Sequence, residues 1–314
     1  MKMKNRYSVG LLILCLMALS NQLAAQTEPM YAQYMYNMLG VNPAYAGNRE
    51  ATSFNFFQRN QWNGLEGAPR TTSVSMDAAL KNNKLGLGVQ LFDDRLGVEK
   101  ADGINVMAST KIRVSEDGLL SGGLSFGLMN YRIDLMSLSD RVAQQNDPVY
   151  FANMNKWMPS VGMGVYFNTE RFYAGVSIPN VLRARLTDLD LVKSGIQKAN
   201  KQHVFITTGY VFDINEQLKV KPSTMIKMVS GAPIQADFNT NVWLYDVLGI
   251  GASYRTGDAV LGMAELQLND NLRLGYAYEV TISPLKYYNN GSHEFMLRYE
   301  WGKIGSKVKS TRYF

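Results

Sequence analysis

The stretch 271-NLRLGYAYEV-280 places Leu272, Leu274, Tyr276, Tyr278 and Val280 on one side of an extended chain, with Arg273, Gly275, Ala277 and Glu279 on the other. Side chains alternate across a strand with period two, so this reads as a strand with one apolar and one polar face. The next candidate repeats it: Phe295, Leu297, Tyr299 and Trp301 oppose Met296, Arg298 and Glu300. A soluble sandwich alternates in the same way, so these two strands alone do not separate it from a membrane barrel.

Number and spacing do. Strands read at 49–59, 70–79, 84–93, 103–114, 119–132, 157–167, 170–178, 201–213, 217–229, 234–244, 246–255, 258–268, 271–281 and 292–301, an even set of fourteen. Lys81–Asn83, Ser115–Gly118, Asn168–Glu170, Ile214–Gln217, Tyr245–Asp246 and Asn269–Asn271 are tight, Asn/Asp-rich turns. The alternate connections include the longer ones, 60–69, 94–102, 133–156, 179–200 and 282–291. Short turns at one end and longer loops at the other describe an all-β fold, a transmembrane antiparallel β-barrel of the outer-membrane type with both termini in the periplasm.

Composition agrees. The 314 residues include 18 Tyr, 13 Phe and 27 Gly, with no mature segment apolar enough for a transmembrane helix. Residues 1–25 have the form of a signal peptide: Lys2, Lys4 and Arg6, an apolar run from Val9 to Leu19, then Leu23-Ala24-Ala25. That run is too short to span a bilayer. The single cysteine, Cys15, follows Leu14 and reads as a leader residue, which leaves no disulfide framework and no thiolate metal site. Without the leader's three cations the net charge of +6 falls to about +3, so no nucleic-acid partner follows from the charge.

The faces assign lipid and lumen. Leu124, Phe126 and Leu128 face lipid while Gly123, Ser125 and Gly127 face inward. Lys219, Lys221 and Lys227 share a face opposite Leu218, Val220, Ile226 and Met228; a mid-depth lysine on the lipid side costs about 2–4 kcal/mol, so the basic face is the lumen. Lys219, Lys221, Lys227, Arg273, Glu279, Arg298 and Glu300 are therefore the expected lumen-lining residues. Trp62, Trp157, Trp243, Tyr245, Tyr254, Tyr299 and Trp301 lie near strand ends, as interfacial girdles do.

Catalytic chemistry has little to stand on. His203 and His293 have no carboxylate or hydroxyl at a spacing that builds a triad or a metal site. Gly86-Leu-Gly88, Gly122-Gly123 and Gly249-Ile-Gly251 lack the context of a phosphate loop and read as strand glycines that make room or permit bending. Asp93-Asp94 and Asp188/Asp190 do not follow an oxygen-ligand loop and read as solvated carboxylates. No enzyme, metal or cofactor is expected.

The N-terminal stretch Tyr31-Ala-Gln-Tyr-Met-Tyr-Asn37, Val41-Asn-Pro-Ala-Tyr-Ala-Gly47, Arg59-Asn-Gln-Trp62, Gly67-Ala-Pro69 and Ser75-Met-Asp77 resembles the start of the PorP/SprF family. Leu85–Gly88, Asp93–Gly97, Ser177–Asn180 and His293–Leu297 look like further family positions, while Met30 and Met38-Leu39-Gly40 depart from the pattern. The resemblance implies an outer-membrane component of the type IX secretion system, which in some bacteria also serves gliding. It implies partners too: other periplasmic and outer-membrane secretion components, or the C-terminal domain of secreted cargo.

Three segments result: a leader (1–25), an N-terminal plug or periplasmic segment (26–48) and the barrel (49–314). Fourteen strands enclose more space than side chains fill, so the lumen holds water or something else. Tyr31, Tyr34, Tyr36, Asn37, Asn42, Pro43, Tyr45, Gln61 and Trp62 are the candidate plug or partner-binding residues. The segment either folds into or across the periplasmic mouth, with Asn42-Pro43 turning the chain, or lies on the membrane surface. Function divides accordingly between a partner-binding barrel of the secretion apparatus and a general diffusion porin, with a barrel hydrolase as a weaker third.

Overall fold

The computed structural model describes residues 31–49, 51–80, 84–137, 153–183, 202–230 and 232–302. The expected leader, the expected turn at Lys81–Asn83 and Asp188/Asp190 lie outside them. Fourteen strands follow in order: β1 Thr52–Asn60, β2 Arg70–Leu80, β3 Leu85–Leu96, β4 Glu99–Arg113, β5 Leu119–Ile133, β6 Met154–Asn168, β7 Phe172–Arg183, β8 His203–Tyr210 continued by Phe212–Asp213, β9 Leu218–Val229, β10 Gln235–Leu244, β11 Leu248–Arg255, β12 Ala259–Gln267, β13 Leu272–Thr281 and β14 Ser292–Trp301. Each pairs antiparallel with its neighbours in sequence, and β14 pairs with β1 from Thr52↔Trp301 to Asn60↔His293. The sheet is a closed barrel without an edge, so every strand's backbone polar groups have a neighbour to bond, as hydrocarbon requires.

Burial follows the period-two pattern. On β13, Arg273, Gly275, Ala277, Glu279 and Thr281 are buried while Leu274, Tyr276, Tyr278 and Val280 are exposed. Leu124, Phe126 and Leu128 point outward from β5, and Ser121, Gly123 and Ser125 inward. This is the inverse of a soluble protein. The large apolar side chains are outside, because their solvent is lipid, and the polar ones inside.

Several readings change. The chain between β3 and β4 is not a loop over 94–102, because the strands run on to Leu96 and from Glu99 and turn at Gly97 and Val98. Similarly, β7 extends to Arg183 rather than stopping at 178. The eighth strand begins at His203 and breaks at Val211, whose N–H donates to Arg171 O at 2.7 Å. Trp243 is not a girdle residue: it shares the inner face of β10 with Asp237, Asn239 and Asn241 and is 1 % exposed. Trp157, Tyr245, Tyr254, Tyr299 and Trp301 do face outward.

Candidate functional site

The barrel interior is occupied by the chain's own residues 31–49. Tyr31, Tyr34, Tyr36, Asn37, Asn42, Pro43 and Tyr45 are all buried there. Three short turns shape the segment: a 3-10 turn at Tyr34–Tyr36, one α-turn at Met38–Val41 and a second 3-10 turn at Pro43–Tyr45. Asn42 starts the last turn by accepting the Ala44 N–H on its side-chain oxygen at 3.0 Å, with Pro43 set for the first helical position. The Asn42 amide then donates to Val165 O at 3.0 Å, which ties the turn to β6.

The wall contacts the segment along its length. Glu294 accepts the N–H groups of Ala32 and Gln33 at 2.7 and 2.8 Å. Arg298 donates to Tyr36 O, and its guanidinium lies 5.7 Å from the Tyr36 ring, while Lys221 stands 5.6 Å from the same ring and 5.3 Å from that of Trp243. A cation over an aromatic face within about 6 Å contributes roughly 0.5–2 kcal/mol. The Tyr36 ring thus lies within 6 Å of two buried basic side chains. Asn239 and Asn241 donate to the hydroxyls of Tyr34 and Tyr36 at 2.8 and 3.3 Å. Ser177 donates to Val41 O at 2.7 Å and Ser109 to Ala46 O at 2.8 Å. Gly47 donates to Asp77 at 2.8 Å, and Arg49 pairs with Glu300 at 2.7 Å. Burial pushes the phenols of Tyr31, Tyr34, Tyr36 and Tyr45 up, so all four remain neutral.

The segment runs deep rather than only across a mouth. Arg49 lies at the turn end, while Tyr31 packs edge-on against Phe57 with ring centroids 5.7 Å apart, in the loop half of β1. Inward glycines admit it. A Cβ on Gly86 would strike Ala46 O, one on Gly164 the Asn42 amide, and one on Gly123 would stand 2.5 Å from both Ala44 Cα and Pro43 C. Gly122, its outward neighbour, has nothing within 4 Å. Gly123→Ala is expected to cost about 1–3 kcal/mol by overpacking against backbone, with Gly122→Ala within about 0.5 kcal/mol of the parent. Urea unfolding midpoints in detergent measure both, and equal midpoints would contradict the close packing.

Of the expected lumen residues, Lys221, Lys227, Arg273, Glu279 and Arg298 are fully buried on the inner face, and Lys219 and Glu300 lie near the turn end, Lys219 paired with Asp246 at 2.7 Å. Gln61 and Trp62 stand apart from the segment, in the β1–β2 loop, half-buried; Trp62 donates its N–H to Ser292 at 3.1 Å. The sequence reading missed a charge network in the loop half. Lys227 meets Asp237 at 3.0 Å, Asp237 meets Arg255 at 2.9 Å, Arg255 meets Glu279 at 3.0 Å, Glu279 meets Arg59 at 3.0 Å and Arg59 meets Glu294 at 3.4 Å. It spans six strands of the wall and ends on the carboxylate that holds Ala32 and Gln33.

His203 is buried on the inner face beside Phe205, whereas His293 is on the outer face with Nδ1 2.7 Å from the Tyr276 hydroxyl. The two do not share a site. Asp93 pairs with Arg95 at 2.8 Å and Lys100 at 3.0 Å, and Asp94 accepts the Thr71 hydroxyl at 2.6 Å. No group of three or more His, Cys, Asp or Glu suited to a metal occurs among the described residues.

Several solved barrels are similar in shape. The Ralstonia pickettii toluene transporter TbuX is 10% identical with a TM-score of 0.49, covering 84% of this chain and 92% of that one. The CymD monoaromatic hydrocarbon channel is 11% identical with a TM-score of 0.48, over 90% and 96%. The Acinetobacter baumannii outer membrane protein Omp33 is 9% identical with a TM-score of 0.46, over 81% and 100%. No curated protein matches the sequence. The family of type IX secretion system membrane proteins PorP/SprF matches residues 23–299, nearly the whole chain. The chain therefore belongs to the PorP/SprF family of type IX secretion membrane proteins, built as an outer-membrane β-barrel.

Proposed function

We propose that this secretion component binds protein partners and does not conduct solutes or catalyse a reaction. The observation that carries the reading is the filled interior: residues 31–47 are held by both backbone and side-chain contacts to the wall. A porin would need that volume for water. The partners are other secretion components or the C-terminal domain of secreted cargo, and in a gliding organism the same delivery would serve gliding. The first strand begins and the last strand ends on the turn side, which is the periplasmic side of a barrel whose long connections face outward.

Deleting the gene tests this. The expected result is loss of cargo from the cell surface with unchanged uptake of small solutes. Normal cargo delivery in the deletion strain would overturn the binding role. The porin reading has the charged inner face in its favour and predicts the converse, slower solute uptake with secretion intact.

A further inference from the structure

The outer wall changes character toward the loop rim of β1–β4. Its outward side chains form rows that the register carries from strand to strand. Phe56, Val74, Leu91 and Ile104 make one such row, apolar and exposed as lipid requires. Two residues nearer the loops the row is Gln58, Thr72, Asp93 and Asp102, and two residues further it is Asn60, Arg70, Arg95 and Lys100. Three cations thus stand on three successive strands, about 5 Å apart from strand to strand and about 13 Å along the strand from the last apolar row. At the turn rim the same four strands put Thr52, Leu80, Leu85 and Thr110 outward, all uncharged. On these strands the outward charge belongs to one rim.

Asp93 meets two of the three, accepting from Arg95 Nε at 2.8 Å and pairing with Lys100 at 3.0 Å, while Asp102 is bonded to Arg132 of β5. Three cations against Asp93 leave the patch positive. The Arg95 side chain is 61 % exposed and that of Lys100 34 %, and the connections around them, 61–69, 97–98 and 282–291, leave Arg70 exposed as well. Arg95 meets Asp93 through Nε, so its two terminal amino groups are not part of that bond. A guanidinium fork matches two phosphate oxygens, and a lysine adds a compact charge. Beyond Asn60 the row continues to His293 and Tyr278. His293 is bonded to the Tyr276 hydroxyl, and its ring centroid lies 5.0 Å from that of Tyr278. Rings with polar tips in this position suit a sugar at a membrane surface.

We propose that this patch binds the phosphate-bearing headgroup of an outer-leaflet glycolipid, with Arg70, Arg95 and Lys100 on the phosphate and His293 and Tyr278 beside the sugar. The acyl chains then lie along the apolar row below, which fixes the lipid by charge at one end and by apolar contact at the other. The proposal goes beyond the partner-binding reading and does not depend on it, because it concerns the lipid-facing wall rather than the filled interior.

The test uses the full-length protein in detergent, titrated with diphosphoryl lipid A and read by native mass spectrometry. Saturable binding is expected, at least tenfold weaker for lipid A stripped of both phosphates; this comparison needs no variant. Replacing Arg70, Arg95 and Lys100 together by glutamine is expected to weaken the intact lipid at least tenfold. Lys84→Gln with Arg113→Gln, which removes two cations at the turn rim, is expected to leave it bound, as is an excess of inorganic phosphate. No binding, equal binding of the stripped lipid, an unchanged triple variant or an equal loss in the turn-rim variant would overturn the proposal. Displacement by inorganic phosphate would reduce the patch to a site for free anions, and tighter binding of an oligoglutamate peptide would give it to a protein; either result also overturns the lipid assignment. None of these outcomes bears on cargo delivery, so the secretion role is judged separately.

Discussion

A variant lacking residues 31–47 is expected to form an open, long-lived channel. The fourteen strands pair with one another around the full circumference and none pairs with the segment, so the wall closes without it. What leaves is the material that fills the axis. Met35, Met38 and Leu39 lose burial worth roughly 1.5–3 kcal/mol each, and Tyr36 leaves two cations behind, so the variant is also less stable. The emptied turn half keeps Arg49, Lys111, Lys221, Arg273 and Arg298 against Asp77, Glu265 and Glu300. That excess of cations favours anions in the open pore. Single-channel recording of the refolded variant measures both conductance and selectivity. A folded but silent variant would mean that the wall collapses or that other residues block the axis.

The second large effect is expected at Arg59. Its guanidinium is the only link between Glu279 and Glu294 in the described network, and all three side chains are at most 2 % exposed. Removing one partner of a buried ion pair costs about 3–5 kcal/mol; here Glu294 loses its counter-ion while Glu279 keeps Arg255 at 3.0 Å. Arg59→Met should therefore lower the unfolding midpoint sharply in detergent. Adding Glu294→Gln to it should cost less than the two separate effects combined, with a coupling of about 0.5–3 kcal/mol. A change within about 0.5 kcal/mol for Arg59→Met would show that the network does not hold the wall to Ala32 and Gln33.

The barrel was legible because lipid demands an unbroken apolar face. Leu272 to Val280 and Phe295 to Trp301 announce their orientation residue by residue, and the Asn/Asp turns mark one rim. Beyond the hydrocarbon that demand ends. Asp93, Asp94 and Arg95 put polar side chains on both sides of the β3 extension, so the alternation vanishes although the pairing with β4 continues to Leu96↔Glu99. Trp243 could have been placed by parity with Asn239 and Asn241; the habit of reading strand-end tryptophan as interfacial prevailed over the period.

The site was legible in part. A run of tyrosines without charge is an unusual surface for water, and its residues do lie in the interior. The partners on the wall were not legible. Arg59, Asp237, Arg255 and Glu294 come from four strands separated by up to 235 positions, and only the barrel's register brings them together. The inward glycines had the same limit: Gly86, Gly123 and Gly164 read as space, but nothing in the sequence names the Ala46, Pro43, Ala44 and Asn42 that fill it.

This barrel is filled by its own N-terminal segment, and we propose that it works by holding protein. Planar-bilayer recording of the intact protein, with the variant lacking residues 31–47 as the positive control, tests it most directly. No stable conductance is expected from the intact barrel under conditions in which the control conducts. A steady open-channel current from the intact protein, equal to that of the control, would contradict it.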